Sequence, residues 1–529
     1  MDYDVVIAGA GPVGLLLACE LKLASLSVLV LETLANPVLP IKEGAIGARV
    51  LNIPSMEVFY RRGLLPDLKK AALWWIDASV DQKGLEAAVR GAPQFVDSGT
   101  PSGPAKVPAR GADHFGLMLD SSAVDYSDPE FAGRGPAAAG GAISMQSLEN
   151  VLSERAAYLQ VEIRRGTPLT DFSADVGGVT VHAGETTVRS AWLVGCDGGR
   201  STVRKLAGFE FPGSDPHITG YSAMVDIADP QRLAHGWNRT AKGTYVNGPM
   251  PGRLLTVEFD GPPEDRDAPI TLEELQTSLR KVSGIDVTLI AVHAATRWSD
   301  NARQASTYRL GRVLLAGDAA HVFAPIGGQG LNLGIGDAVN LGWKLAATAK
   351  GWAPETLLDT YTAERHPIGA WALKWTRALV ELMGPKRRDL ELASLIADVI
   401  GGRGGATSLA KRISGVWQRY DLPGDHPLIG QSAPDLEFED GRKLGEYCHE
   451  GRALLFNFGD DARIPSLGAR WHERLNVITT RLNEDSDLST LFVRPDGFVA
   501  WASSGEAVLD DATSALSTWL GNSDGRLQR

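Results

Sequence analysis

An aspartate at the end of an apolar run, followed closely by a glycine cluster at a helix start, is the combination in this chain with the clearest chemistry. Within the stretch Gly311 to Ala346, Val313 to Ala316 reads as a buried strand that ends in Gly317-Asp318. Gly327-Gly328-Gln329-Gly330 then opens a long helical pattern from Leu331. Glycines at a helix start let backbone N–H groups approach a ligand, and the helix dipole adds positive potential there. The expected guest is electron-rich or anionic.

Two further strand ends carry matching chemistry. Val5 to Ala8 reads as a strand, Gly9-Ala10-Gly11-Pro12-Val13-Gly14 as a turn, Leu15 to Leu23 as a helix, and Val28 to Leu31 as a second strand closed by Glu32. That order is a dinucleotide fingerprint: glycines for the turn and the approach of a pyrophosphate, an acid for ribose hydroxyls. With 59 glycines in 529 residues, the spacing alone would arise about 0.7 times by chance, so the strand–turn–helix setting decides against a merely tight turn. Trp192 to Cys196 is the third strand, delivering Asp197-Gly198 and then Arg200, Ser201 and Arg204 at its end. Open α/β sheets bind ligands at that edge.

The elements that must position these groups follow from pattern and composition. A chain of 529 residues exceeds one core and implies two to four domains. Its 44% hydrophobic content contains no apolar run of membrane-spanning length, and the N-terminus has no signal-peptide pattern, so a cytoplasmic protein is expected. Cys19, Cys196 and Cys448 are too few and too scattered for a disulfide framework or a zinc site, and read as buried thiols. A net charge of −12 disfavours nucleic acid and anionic membranes as partners. Gly91 to Ala142, crowded with Gly, Pro, Ala and Ser, reads as a long loop, either a lid or interface or simple filler. Gln146 begins a helix, and Gly208 to Trp298 alternates like an antiparallel sheet, as in Leu254 to Phe259. Helical pattern then runs to about Tyr420. After Asp421-Leu422-Pro423-Gly424 a final unit shows strands at Ala453 to Phe458, Leu475 to Thr479 and Leu491 to Val493, with an Arg494-Pro495-Asp496-Gly497 turn before Phe498 to Trp501.

The GAGPVG turn with Glu32, Gln146 before a helix, Asp197-Gly198, and Gly317-Asp318 running to Lys344 together resemble the single-component FAD-dependent aromatic hydroxylases related to para-hydroxybenzoate hydroxylase. The likeness is strongest to the bacterial polyketide-tailoring branch. It implies an α/β fold: a Rossmann-like FAD-binding domain from 1–73, 143–207 and 299–370, an antiparallel β-sheet substrate domain and loop from 74–142 and 208–298, a helical connection over 371–420, and a thioredoxin-like C-terminal domain over 421–529. It further implies FAD, NADPH or NADH as transient reductant, O2, a small-molecule aromatic substrate, and oxygen transfer through a flavin C4a-hydroperoxide. Self-association into a homodimer is left open.

Residue by residue, the resemblance places Gly9, Gly11, Pro12 and Gly14 at the pyrophosphate, Glu32 at the ribose, and Gln146 near the flavin chain. Asp197 and Gly198 match a motif shared by FAD and NADPH, supported by Arg204, while Asp318 matches the aspartate on the ribityl chain. Pro325, Gly328, Gln329, Gly330, Leu331 and Asn332 match the loop against the flavin ring, with Pro325 and Gly328 as the catalytic candidates. Thr33 and Lys42 stand where arginine is common in the family, and Arg49 holds a familiar place, so nucleotide contacts are expected to differ here. No CxxC pair accompanies the C-terminal pattern, so no dithiol exchange is expected there. Tyr221, Tyr245, Arg253 and Trp298 are substrate candidates by residue type. His321 reads as packed or hydrogen-bonding rather than metal-ligating, and Arg365 as either a family match or a helix-surface ion pair. Baeyer–Villiger oxygenation at the same flavin, and a flavoprotein that steers an aromatic intermediate without oxygenating it, are the alternatives. The W-x-W-x-I-P pattern of flavin halogenases is absent, Trp74-Trp75-Ile76 lacking the spacing.

Overall fold

The computed structural model describes residues 1–76, 112–114, 117–119, 123–138, 140–248, 250–459 and 461–523. Its first sheet orders strands Arg309–Leu310, Val313–Leu315, Thr186–Gly195, Tyr3–Ala8, Val28–Glu32 and Glu162–Arg165, with two antiparallel strands appended at 169–183. Val5, Val6, Ile7, Leu193, Val194, Leu314 and Leu315 are fully buried. Such unbroken apolar strands are those of a parallel sheet covered on both faces. The helices Pro12–Leu23, Met145–Tyr158 and Gln329–Ala349 pack together over it.

Strand order explains why the three motifs meet. Tyr3–Ala8 and Val313–Leu315 both pair in parallel with Thr186–Gly195, with Ala8 opposite Gly195 and Gly195 opposite Leu315. The turns that follow, at Gly9, Asp197 and Gly317, therefore leave the sheet at one edge and side by side. The chain also reverses its direction of travel across the sheet at Tyr3–Ala8, and a crevice opens at such a switch point.

The second layer is a five-stranded antiparallel sheet in the order Gly236–Thr240, Gly243–Asn247, Arg253–Glu258, Thr219–Ile227 and Leu289–Trp298. Helix Leu272–Ser283 covers one face through Leu275, Leu279 and Val282. The other face joins a core containing Ala324, Ile326, Leu379 and Met383. As the pattern implied, helices Thr356–Leu382, Arg387–Ile400 and Arg403–Ser414 fill the stretch to Tyr420. The C-terminal unit is a four-stranded mixed sheet, Leu475–Thr479, Ala453–Asn457, Leu488–Val493 and Val499–Ser504, backed by helix Leu509–Leu520. Of the long loop expected from Gly91 to Ala142, residues 91–111 lie outside the described residues. The described remainder includes a short pairing of Ala112–His114 with Leu117–Leu119 and two 3-10 turns, one of which buries Phe131.

Candidate active site

The three glycines of the first turn stand in different surroundings, and packing requires two of them. Gly9 has φ +103° and a Cβ there would collide with the Cys196 carbonyl, while a Cβ on Gly14 would collide with the Gly9 carbonyl. Gly11 has an ordinary φ of −73° and nothing within 4 Å of where a Cβ would stand. Protein packing does not demand a glycine at Gly11, which leaves open space beside the turn. Glu32 is fixed beside this turn, accepting from Ala10 N at 2.7 Å and Leu34 N at 2.8 Å. Thr33 next to it is exposed.

At the neighbouring strand end, Asp197 caps the helix Thr202–Leu206. Its oxygens accept from Ser201 Oγ at 2.5 Å, Thr202 N at 2.7 Å and Val203 N at 3.1 Å. Gly198 has φ +77° and open space beside it. Arg204 donates to Gly199 O and Ala319 O, both at 2.9 Å, and so fastens this segment to the third strand end. There, Gly317 takes φ +63° and Asp318 is exposed to the cleft. Surrounding protein raises the Asp318 carboxyl above its ordinary range, Asp337 adds to this, and His321 and Arg49 pull it down. His321 is fully buried and bonds Asp337 through Nε2 at 2.7 Å, the hydrogen-bonding role expected of it.

Pro325 and Gly328 are exposed, and Gly328, at φ +64°, is the N-cap of helix Gln329–Ala349. Gln329 and Asn332 are buried, while Gly330 and Leu331 are half-buried. Asn332 accepts from Asn52 N at 3.0 Å and donates to Gly328 O at 2.7 Å and Val50 O at 3.1 Å, which ties the helix start to the segment after Arg49. Beneath Gly327 lie Trp375 and Leu379, and Trp375 stacks on Trp371 at 5.4 Å.

Lys42 is engaged otherwise than expected: Glu149 takes its ammonium at 2.8 and 2.9 Å, so the lysine ties the Pro40–Lys42 turn to helix Met145–Tyr158. Arg49 donates to Ala48 O at 2.8 Å and Ile46 O at 3.3 Å and feels both Arg253 and Asp318. Burial lowers the Arg253 guanidinium, for which no hydrogen bond or ion pair is found among the described residues. Gln146 donates through Nε2 to Asn150 at 3.1 Å, and its Oε1 is buried without a partner among the described residues. The open side of Gly11, the orphaned Gln146 oxygen, the helix start at Gly328 and the carboxylate of Asp318 fit a bound dinucleotide carrying a flavin.

The sheet's two-residue period divides the four substrate candidates. Tyr221 faces helix Leu272–Ser283, where its hydroxyl donates to Glu274 at 2.6 Å, and Tyr245 is buried in the same cluster. Both therefore point away from the opposite face, a correction to the expectation from residue type. Trp298 lies on that opposite face with Ile326 and Leu379, its Nε1 donating to Ser222 Oγ at 3.2 Å, and Arg253 shares the face by alternation with the buried Leu254. Arg365 is corrected too: it is fully buried, bonded to Asp337, Leu333 O and Tyr420, and is no surface ion pair. Sequence reasoning missed Asp337 and Trp375. A carboxylate inside the otherwise apolar helical run Ile335 to Val339 was the available signal for Asp337.

A two-layer flavin-type cleft roofed by an antiparallel sheet defines an FAD-binding oxidoreductase. Residues 2–376 match the FAD binding domain family, and residues 426–523 match the family described as aromatic-ring hydroxylase, C-terminal. The chain is 38% identical over 547 residues to the 12-dehydrotetracycline 5-monooxygenase/anhydrotetracycline 6-monooxygenase of Streptomyces rimosus subsp. rimosus, covering 98% of this chain and 99% of that one. The solved structure of OxyS anhydrotetracycline hydroxylase from Streptomyces rimosus superposes with a TM-score of 0.81 at 36% identity, covering 99% of this chain and all of that one. A dialkyldecalin synthase of Streptomyces rugosporus is 34% identical over 98% of this chain and 99% of its own length. The chain belongs to the FAD-dependent aromatic-ring hydroxylases, a family of flavoprotein monooxygenases.

Proposed function

We propose that this enzyme uses NAD(P)H and O2 to hydroxylate a polycyclic, phenolic substrate of polyketide type. The observation that carries the reading is the junction of a glycine-started helix, at Gly328, with an apolar wall containing Trp298 and Trp375. FAD, when bound and reduced, supplies the oxygen chemistry. The residues of the chain bind, orient and shield. In this reading Gly11 admits the pyrophosphate, Glu32 accepts from the ribose, Gln146 Oε1 and Asp318 accept from the ribityl chain, and the N–H groups at Gly330, Leu331 and Asn332 favour the negative charge of a reduced ring. Pro325 lies on the substrate side, and Trp298 and Trp375 exclude water around an aromatic guest. Arg253 is the one cation of the four substrate candidates and serves an anionic oxygen at the cleft. The net charge of −12 supports small-molecule partners over nucleic acid or an anionic membrane, and we place the enzyme in the cytoplasm, alone or as a homodimer.

Addition of polycyclic phenols to the purified yellow protein is expected to accelerate NADPH oxidation and to give a product carrying one added oxygen on an intact ring. A lactone or opened ring in the product NMR would instead mean Baeyer–Villiger insertion. The likeness to the decalin synthase supports one second reading, in which the same cleft steers an intermediate without oxygenating it. Conversion of a polyene to an isomer of unchanged mass would establish that reading and displace hydroxylation.

A further inference from the structure

The 494–498 turn of the C-terminal unit is joined to the cleft by an unbroken run of buried contacts. Phe498 stacks on Tyr420 with ring centres 4.1 Å apart, and Arg494 lies 5.3 Å from the same ring. The Tyr420 hydroxyl accepts from Arg365 Nη1 at 3.2 Å. Arg365 in turn donates through Nε to Asp337 Oδ1 at 2.8 Å and through Nη2 to Leu333 O at 2.9 Å. Asp337 Oδ2 accepts from Gly317 N at 3.1 Å and pairs with His321 at 2.7 Å. Tyr420, Arg365, Asp337 and His321 are all buried.

This run has little freedom to rearrange. A buried guanidinium is tolerated only when its donors are matched, and three groups match those of Arg365, two on helix Gln329–Ala349 and one on Tyr420. The guanidinium also lies against helix Gln329–Ala349 at Gly336, where a Cβ would meet it. At the far end, the Asp337 bond holds the left-handed Gly317 that aims Asp318 into the cleft. A shift of Arg365 would move Asp337 and release that turn.

We propose that the C-terminal unit is a positioning element of the flavin site, with Tyr420, Arg365 and Asp337 as the positioning residues that carry its docking to the Gly317-Asp318 turn. The inference rests on the reading that Asp318 holds the flavin chain. It gives a role to a C-terminal unit that lacks a CxxC pair.

The test compares Tyr420→Phe, Arg365→Lys and Asp318→Ala in the full-length holoenzyme, reading FAD dissociation, flavin midpoint potential, the visible absorption bands and the melting temperature. Tyr420→Phe removes one oxygen and keeps the ring on Phe498. It should weaken FAD binding about 2- to 30-fold and shift the potential and the flavin bands, and combining it with Arg365→Lys should be non-additive. Asp318→Ala should weaken FAD roughly ten- to hundred-fold. If Asp318→Ala loosens FAD while Tyr420→Phe leaves affinity, potential and spectrum at wild-type values, the positioning role is overturned, even if melting falls. Wild-type FAD retention in Asp318→Ala would overturn the Asp318 reading instead. Should Arg365→Lys fail to fold, Tyr420→Phe decides alone.

Discussion

Helix Gln329–Ala349 serves two polar regions that are built on opposite rules. Its first turn faces the cleft, where Asp318, Arg253 and Gln146 Oε1 have bonding capacity that the described residues leave unmet. Its later turns face the C-terminal unit, where Glu364 accepts from Arg494 at 2.8 and 2.9 Å and from Asn340 at 2.7 Å, and stands 2.9 Å from Lys344. Asp496 takes the remaining face of Arg494 at 2.5 Å. Two cations and two anions balance there, all buried. The structural charges pair with one another, although Asn340 Oδ1 and Trp343 Nε1 beside them have no hydrogen-bond partner among the described residues. The charged and polar groups at the cleft are left unpaired among those residues. The two carboxylates record the contrast. Despite burial, Arg494 and Lys344 hold Glu364 down to about 2, whereas partial desolvation by the surrounding protein and the charge of Asp337 push Asp318 up.

The largest effect expected from breaking this contrast is at Glu364. Glu364→Ala leaves Arg494 and Lys344 buried without their shared anion and should cost about 3–5 kcal/mol of stability by denaturant unfolding. Because its folded pKa lies below the unfolded value, Glu364 contributes fully above about pH 4.5, and that contribution falls away as the pH drops towards 2. Glu364→Gln should flatten that acid limb. Wild-type unfolding of Glu364→Ala would mean that the interface charges contribute nothing. Lys344 behaves oppositely, burial outweighing its anion and bringing the amine down to about 8, so Glu364 serves Arg494 first.

The glycine turn sharpens the contrast within six residues. Gly14→Ala drives a methyl into the Gly9 carbonyl and should cost about 1–3 kcal/mol with or without FAD. Gly11→Ala enters open space, so the FAD-free protein should melt within about 0.5 kcal/mol of wild type while FAD affinity falls at least roughly tenfold. Equal loss of apo stability in both variants would remove the argument that a ligand dictates Gly11.

How much of this was legible in the sequence follows the same division. The three strand-end motifs could be read because close backbone approach demands glycine and a strand end demands apolar residues before it, and both are local. Which face Tyr221 or Trp298 occupies could not be read from residue type, since a shift of one position in a strand reverses the face. Alternation assigns faces only once one partner is known, here Ser222 beneath Trp298. The surface alternative for Arg365 fails, and the bond of Lys42 to Glu149 went unforeseen, for a related reason: the partners, Asp337 and Glu149, lie 28 and 107 positions away. No local pattern encodes such a distance. The interface of Arg494 with Glu364 spans 130 positions and was likewise invisible.

The smallest effect should come from the cleft carboxylate itself, and its sign is the more telling. A carboxyl raised in the folded state binds its proton more tightly there than in the unfolded chain, so it lowers the stability of the FAD-free protein as the pH rises through that range. Asp318→Asn removes this burden, but the side chain is exposed, so the gain at neutral pH should not exceed about 0.5 kcal/mol. The same substitution exchanges a charged acceptor for a neutral one and should weaken FAD by roughly fivefold. Stability held or raised while cofactor affinity falls is the signature of a group placed for a ligand. A variant that melts well below wild type without FAD would put Asp318 on the structural side of the comparison, with Glu364.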